Sequence, residues 1–296
     1  MPVASGLARL YCDRLLTRVL SGTLNWPAVR RARLRDDAAR VPFFIGTERA
    51  GSVARQHLDG LAAWPECLHT GAARVVLTSD QPTADLVAIN GALHRLGLVP
   101  GWRNEIYAVT GLDSGLALAQ TERAAARFWG FLTQGAHATG FVADAAGRPT
   151  HLWIAQRSPH KATDPGLLDN LVAGGVPDGQ TPWQTLVREG FEEAGLLPEL
   201  MATATPGRVI RLHRDVAEGL QLEEIHSFDL QLPARVQPHN HDGEVARFDC
   251  LPIQQALALA CSESMTVDAS LVTLDFALRH GLCAAPDGAA QLLRIA

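Results

Sequence analysis

The chain has 296 residues, of which 47% are hydrophobic and 19% charged, so it can bury a real core and is neither a disordered nor a collagen-like polymer. That length suits two domains or one large α/β unit. With 26 basic residues against 31 acidic ones the net charge is −5, which gives no general attraction to nucleic acid or to an anionic membrane surface.

The basic residues are arginines apart from a single lysine, Lys161, a bias that reads as compositional. Five cysteines (Cys12, Cys67, Cys250, Cys261, Cys283) are odd in number and never form a CxxC pair, so they support neither a disulfide framework nor a zinc site. No segment reaches the roughly 20 apolar residues of a membrane span, and the N-terminus lacks a secretory pattern. The expected address is the cytoplasm.

In chain order, apolar residues at Leu7, Leu10, Tyr11, Leu15 and Leu16 predict an amphipathic helix over Leu7 to Val19. A second helix is expected after Asn25 as its cap, with Pro27 just inside; its Arg30, Arg31, Arg33 and Arg35 read as a solvated face. Val41 to Gly46 reads as a strand, Ser52 to Trp64 as a helix and Ala73 to Ser79 as a buried strand. A helix over Thr83 to Leu96, a strand over Glu105 to Thr110 and a helix over Thr121 to Phe131 complete a small α/β unit with no motif of its own.

From Thr139 the character changes. Gly140 to Ala145 and Thr150 to Gln156 read as a hairpin, with further strands at Arg208 to His213, Leu220 to Leu232 and Ala246 to Leu251. Helices are expected over Pro182 to Ala194, Ile253 to Ala260 and Asp268 to His280. The expected division is an accessory domain over 1–135 and a second α/β domain over 136–296. Trp102, Trp129 and Trp153 read as core, with a stacking role open to an aromatic of the N-terminal half.

The chemistry sits in Gly174 to Leu196, GGVPDGQTPWQTLVREGFEEAGL. A glycine-rich turn leads into a helix whose Glu189, Glu192 and Glu193 stand at i, i+3 and i+4 and so share one face. Like charges at that spacing repel, and hard carboxylate oxygens so clustered suit Mg²⁺ or Mn²⁺ with its waters and a substrate phosphate.

This stretch resembles the Nudix hydrolases, whose box reads G-x5-E-x7-R-E-U-x-E-E-x-G-U, with U a bulky apolar residue. Gly174, Arg188, Glu189, Glu192, Glu193, Gly195 and Leu196 match; a second alignment takes Gly175 as the box glycine. Gln180 stands in place of the first glutamate and Gly190 in place of a bulky apolar residue. AQRSPHKATDPGLLDNLVAGGVPDG before the helix, DGEVARF after it and VPFFIGTERA near the start are similar to the branch related to the hydrolase domain that accompanies fungal thiamine pyrophosphokinase. The fold thus implied is an α/β/α sandwich with a mixed sheet (α/β, or α+β), preceded by a small α/β domain.

The resemblance implies hydrolysis of a small-molecule diphosphate, with thiamine diphosphate or its oxidised analogues as substrates, ADP-ribose or nucleoside diphosphate sugars as the alternative, or ligand binding without turnover. It implies Mg²⁺ or Mn²⁺ on Glu189, Glu192 and Glu193, with Glu192 a shared ligand or the base. Arg188 would hold the acids in place, and Glu244 would add an acid from outside the box. Arg157 could grip a terminal phosphate, beside the loop of Gly174 and Gly175. His239, Asn240, His241 and Asp242 read as a polar loop, and His160 as loop rather than base. The N-terminal half is expected either to assemble the chain, as in a homodimer, or to line the substrate pocket.

Overall fold

A computed structural model describes residues 26–294. The helix expected over Leu7 to Val19, and Asn25 as a cap, lie outside the described residues. Helix α1 (Pro27–Arg31) is followed by β1 (Arg40–Ile45), β2 (Glu48–Ala54), a one-turn α2 (Leu58–Leu61), β3 (Leu68–Thr70), β4 (Val75–Leu77), α3 (Pro82–Arg95), β5 (Ile106–Thr110), β6 (Ala117–Glu122) and α4 (Ala125–Trp129). The second half comprises β7 (Leu132–Ala143), β8 (Pro149–Arg157), β9 (Leu168–Asp169), β10 (Val172–Gly175), α5 (Pro182–Ala194), α6 (Pro198–Met201), β11 (Thr205–Val216), β12 (Gly219–Gln231), β13 (Val245–Pro252), α7 (Ile253–Ala260), α8 (Val267–Arg279) and β14 (Leu293–Arg294). None of the described helices is long and apolar enough to cross a membrane.

In the first half β1 pairs with β2 antiparallel and with β4 parallel, giving the order β2-β1-β4-β3, while β5 and β6 form a separate hairpin. Phe43 and Trp129 meet at 4.7 Å between ring centroids in its core. The indole N–H of Trp129 donates to Asn90 Oδ1 (2.7 Å), and the Asn90 amide donates to Thr121 Oγ1 (2.9 Å), so this core's polar groups satisfy one another. The helix expected over Ser52 to Trp64 is corrected here. Gly46, at φ +58°, reverses the chain, and the alternating Glu48–Ala54 segment pairs with β1 before a single helical turn forms. Thr121 to Phe131 is likewise split, because β6 claims Thr121 and Glu122 as partners of β5 before α4 begins.

The second sheet runs β13-β8-β7-β12-β11-β14, with β7 and β12 parallel and the other neighbours antiparallel. It is a mixed sheet. Leu186, Ala194 and Met201 of α5 and α6 pack on Ala136, Ala138 and Phe228 on one face; α7 and α8 bring Leu257, Leu271 and Phe276 onto Leu152, Ile154 and Ile225 on the other. These two layers make the expected α/β/α sandwich. Gly174 and Gly175, read as part of a turn, lie in β10 instead, because that segment pairs with Gly135 to Ala138 of β7. Strand β8 takes over the same edge of β7 from Gly140 onward, so the sheet forks between β10 and β8.

An Arg279–Asp229 bidentate pair (2.5 and 2.6 Å) ties α8 to β12, and Arg279 Nε also donates to Asp275 at 2.8 Å. The halves interlock as well: Trp26, Val29 and Ala32 are buried in the core beneath α8, and the amide of His213 donates to the carbonyl of Ala32. Strand β7 runs through the expected join near residue 135.

Candidate active site

Helix α5 starts and stops on local chemistry. Thr181 accepts from the Gln184 amide (3.2 Å) while the Gln184 side chain accepts from the Thr181 amide (2.9 Å), a reciprocal cap, and Pro182 fills the first turn. Gly195 ends the helix at φ +63°. His239 lies against it, and its amide donates to Ala194 O (3.0 Å) while that of His241 donates to Glu192 O (3.1 Å). The His239–Asp242 segment thus packs on the helix end as a polar loop.

The two departures from the box have structural causes. A Cβ on Gly190 would stand 2.6 Å from Met201 Sδ, so α6 packs where a bulky residue would project. The side-chain oxygen Oε1 of Gln180 accepts from Thr185 Oγ1 (3.0 Å) and Arg188 Nε (3.4 Å), bracing the loop as a neutral acceptor. Both candidate box glycines are required as well: a Cβ on Gly174 would meet Glu189 Cγ at 2.4 Å, and one on Gly175 would meet Tyr107 Oη at 1.7 Å.

The three acids are not equivalent. Glu193 is buried (3% exposed), accepts from the Ala173 amide (3.0 Å) and from Lys161 Nζ (3.2 Å), and its carboxyl is pushed up to about 7, chiefly by burial, with Lys161 opposing. Glu189 accepts from Arg188 Nη2 (2.8 Å), and burial raises it too. Glu192 points to the outside and accepts from Arg188 Nη1 (2.6 Å). Arg188 therefore spans two acids of the ridge.

Lys161 was not singled out from sequence, yet it bridges Glu193 and Glu244, the latter at 2.5 Å. Glu244 is thereby brought to the ridge. Burial would raise its carboxyl, but the hydrogen bond and charge of Lys161, with Arg103 at 3.5 Å, outweigh burial and hold it low.

Among the described residues no three His, Cys, Asp or Glu side chains converge closely enough to enclose a cation as they stand, and the ridge's acids pair with Arg188 and Lys161. The donor set itself is all carboxylate, with Glu189 and Glu193 on the inner cavity and Glu189 and Glu192 on the outer cleft, a chemistry that suits Mg²⁺ or Mn²⁺. Glu189 and Glu193 would hold such an ion from the inner side and Glu192 from the outer.

The cavity above the ridge has a volume of about 220 Å³ and opens into an outer cleft; Glu189, Lys161, Glu244, Arg103 and Arg123 line both. Asp164, Glu223 and Asp268 also line the inner cavity. Burial and the charge of Asp268 raise both Asp164 and Glu223, and the Gln221 amide donates to Glu223 (2.8 Å) and Asp268 (3.1 Å). Arg157 lines the cavity too, but the expected bidentate grip on a phosphate is not what its geometry offers: it donates to Asp169 (2.6 Å), Thr163 O (2.8 Å) and Asp164 O (3.2 Å), and so anchors the loop that carries Lys161. His160 is exposed on the outer cleft. Trp129 and Trp153 are buried in the cores, whereas Trp102 stacks on His94 and borders the outer cleft.

Residues 133–266 match the family model described as NUDIX domain, and residues 26–133 match the model described as a domain of unknown function, DUF4743. Nudix hydrolase 24, chloroplastic, of Arabidopsis thaliana is 38% identical over 187 residues, covering 63% of this chain and 51% of that one. Nudix hydrolase 20, chloroplastic, of the same plant is 38% identical over 200 residues, covering 67% and 52%. The chain thus spans about half the length of these curated relatives. A crystal structure of DR0079 from Deinococcus radiodurans is similar at 22% identity with a TM-score of 0.43, covering 58% of this chain and 99% of that one. The capped acid helix, the mixed sheet between helical layers and the domain match agree that residues 133–266 are a Nudix domain, carried behind a region of the DUF4743 type.

Proposed function

We propose that the protein is a divalent-metal-dependent pyrophosphohydrolase that cleaves the diphosphate of thiamine diphosphate or of an oxidised analogue to the monophosphate. One observation carries the substrate class: a single cavity has the Glu189–Glu193 ridge at its mouth and the carboxylates Asp164, Glu223 and Asp268 on its wall. A diphosphate suits the first through Mg²⁺ or Mn²⁺, and a cationic ring suits the second, where its charge would add to that of Arg127, Arg157 and Arg214 in offsetting the burial and mutual repulsion of these acids. The metal supplies charge for the phosphoryl oxygens and lowers the pKa of water.

The chain's own residues do the rest. Glu193, raised towards neutrality, can accept a proton from an attacking water, while Arg188 fixes Glu189 and Glu192 and Lys161 holds Glu244 against the ridge. A non-hydrolysing ligand-binding module is disfavoured by retention of all three acids. We place the protein in the cytoplasm, which suits its unpaired cysteines at 67, 250, 261 and 283, and divide the chain into an accessory unit over 1–135 and a hydrolase unit over 136–296, with residues 26–32 packed into the core of the second.

Steady-state hydrolysis with Mg²⁺ tests the reading. We expect kcat/KM at least about tenfold higher for thiamine diphosphate than for ADP-ribose, one or more opposite-charge contacts being worth that much. Turnover of ADP-ribose alone would overturn the substrate class.

A further inference from the structure

The region of the DUF4743 type supplies one side of the cleft. We propose that this region completes the hydrolase site, with Arg103 and Arg123 as the side chains that bind the outer phosphate of the substrate. The inference rests on the diphosphate reading above.

Of the cations that line the inner cavity, Arg127 pairs with Glu218 (3.5 Å) and does not reach the outer cleft. Arg157 is committed to Asp169 and two loop carbonyls, Arg188 to Glu189 and Glu192, and Lys161 to Glu193 and Glu244. Arg123 gives Nη1 to Glu105 (2.7 Å), and its guanidinium lies 5.6 Å from the Tyr107 ring centroid. Arg103 reaches Glu244 at 3.5 Å. Both line the inner cavity and the outer cleft together with Glu189, and a guanidinium fork with open donors is the group that matches phosphate oxygens two at a time.

The backbone that carries these arginines is held firmly: the Arg103 amide donates to Glu122 Oε1 (2.9 Å) and the Arg123 amide to Glu105 O (2.8 Å). The amide of Asp178 in the box loop donates to Ile106 O (2.8 Å), the Gln120 side chain donates to the Asp178 carboxylate, and Tyr107 Oη packs on Gly175. The β5–β6 hairpin is thus docked on the box loop itself, and Trp26 and Val29 from ahead of it sit in the hydrolase core. A grip prearranged in this way loses less entropy on binding than side chains on a free lobe.

The test uses the full chain, because residues 26–32 belong to the hydrolase core. Binding of inorganic pyrophosphate with Mg²⁺ is measured by calorimetry for wild type, Arg103→Gln, Arg123→Gln and the double variant, with Arg148→Gln, on the exposed turn after β7, as control. Each single substitution should raise Kd by about tenfold or more, as loss of a charge-assisted hydrogen bond does, and the control should leave it unchanged. Arg103→Gln is informative even if Arg123→Gln melts early, since Arg103 has a loose, half-exposed partner. A Kd within about twofold of wild type for Arg103→Gln and for any folded Arg123 variant overturns the proposal, as does a wild type that binds no pyrophosphate. Arginine-dependent pyrophosphate binding in a protein that hydrolyses none of its diphosphates supports it while overturning the hydrolase reading.

Discussion

The hydroxyl of Tyr107 rests against the α-carbon of Gly175, so closely that a Cβ there would lie 1.7 Å from it. One residue belongs to the β5–β6 hairpin and the other to the strand that feeds the acid helix. Gly175→Ala should therefore push the hairpin off the box loop, lowering Tm by several degrees and weakening pyrophosphate binding. Tyr107→Phe in the same chain removes the nearest atom and leaves Cζ at 3.0 Å, so it should recover part of both losses. Thermal melts of the single and double variants decide this; additive losses would contradict the contact.

Glu193 gives a pH signature. Its carboxyl sits near 7 in the folded protein against an ordinary value of 4.5, so between those values the native state binds more protons than the unfolded state. Stability of metal-free protein should therefore fall as pH rises from about 4.5 to about 7, by on the order of 3 kcal/mol, and Glu193→Gln should flatten that slope. Affinity for Mn²⁺ should move the other way, rising through about pH 7 as the carboxylate forms. Lys161→Gln, which removes the opposing charge, should displace the affinity midpoint to higher pH. Titrations with Mn²⁺ at pH 5.5 to 8.5 would show a flat profile if Glu193 were not a ligand.

How much of this was legible in the sequence depended on how local the cause was. Helix α5 spans Pro182–Ala194 as expected, because Thr181, Pro182, Gln184 and Gly195 set its ends within the segment itself. Ile253–Ala260 was equally local. Strand β10 was not legible, since Gly174 and Gly175 look like turn residues until β7 is beside them. The role of Lys161 depends on a loop folding back over 32 residues to reach Glu193, and that of Arg123 on a hairpin docking against the box, so no spacing reveals either role, even though Lys161 stands out as the only lysine. Arg157 shows the converse: an arginine at a strand end looks available until Asp169 and the loop carbonyls are placed around it.

The Arg279–Asp229–Asp275 network should be structural alone. Asp275 is fully buried and Asp229 nearly so, so Arg279→Ala leaves two carboxylates without their cation and should cost about 3–5 kcal/mol. Urea denaturation gives the size of the loss, and substrate KM measured well below Tm should be unchanged. A loss below about 1 kcal/mol would mean that Arg208 and His280 already neutralise the pair.

Gly190→Ala pits two effects against each other. Alanine gains about 1 kcal/mol of helix propensity, but its Cβ would stand 2.6 Å from the sulfur of Met201, which is itself fully buried. A net loss of about 1–2 kcal/mol is expected, and Met201→Ala beforehand should convert the same change at residue 190 into a gain. Chemical denaturation of the four proteins in the cycle tests it; a stabilising Gly190→Ala in the wild-type background would contradict the packing account.

The central claim is that the buried acid ridge performs metal-dependent diphosphate hydrolysis, and Glu193→Gln addresses it most directly, because the amide keeps the shape of the side chain while removing its charge. With Mg²⁺ and thiamine diphosphate, wild type should release phosphate and the variant should lose at least about a hundredfold in kcat at unchanged fold, the scale of a general base or metal ligand removed. Hydrolysis by Glu193→Gln at the wild-type rate would contradict the account.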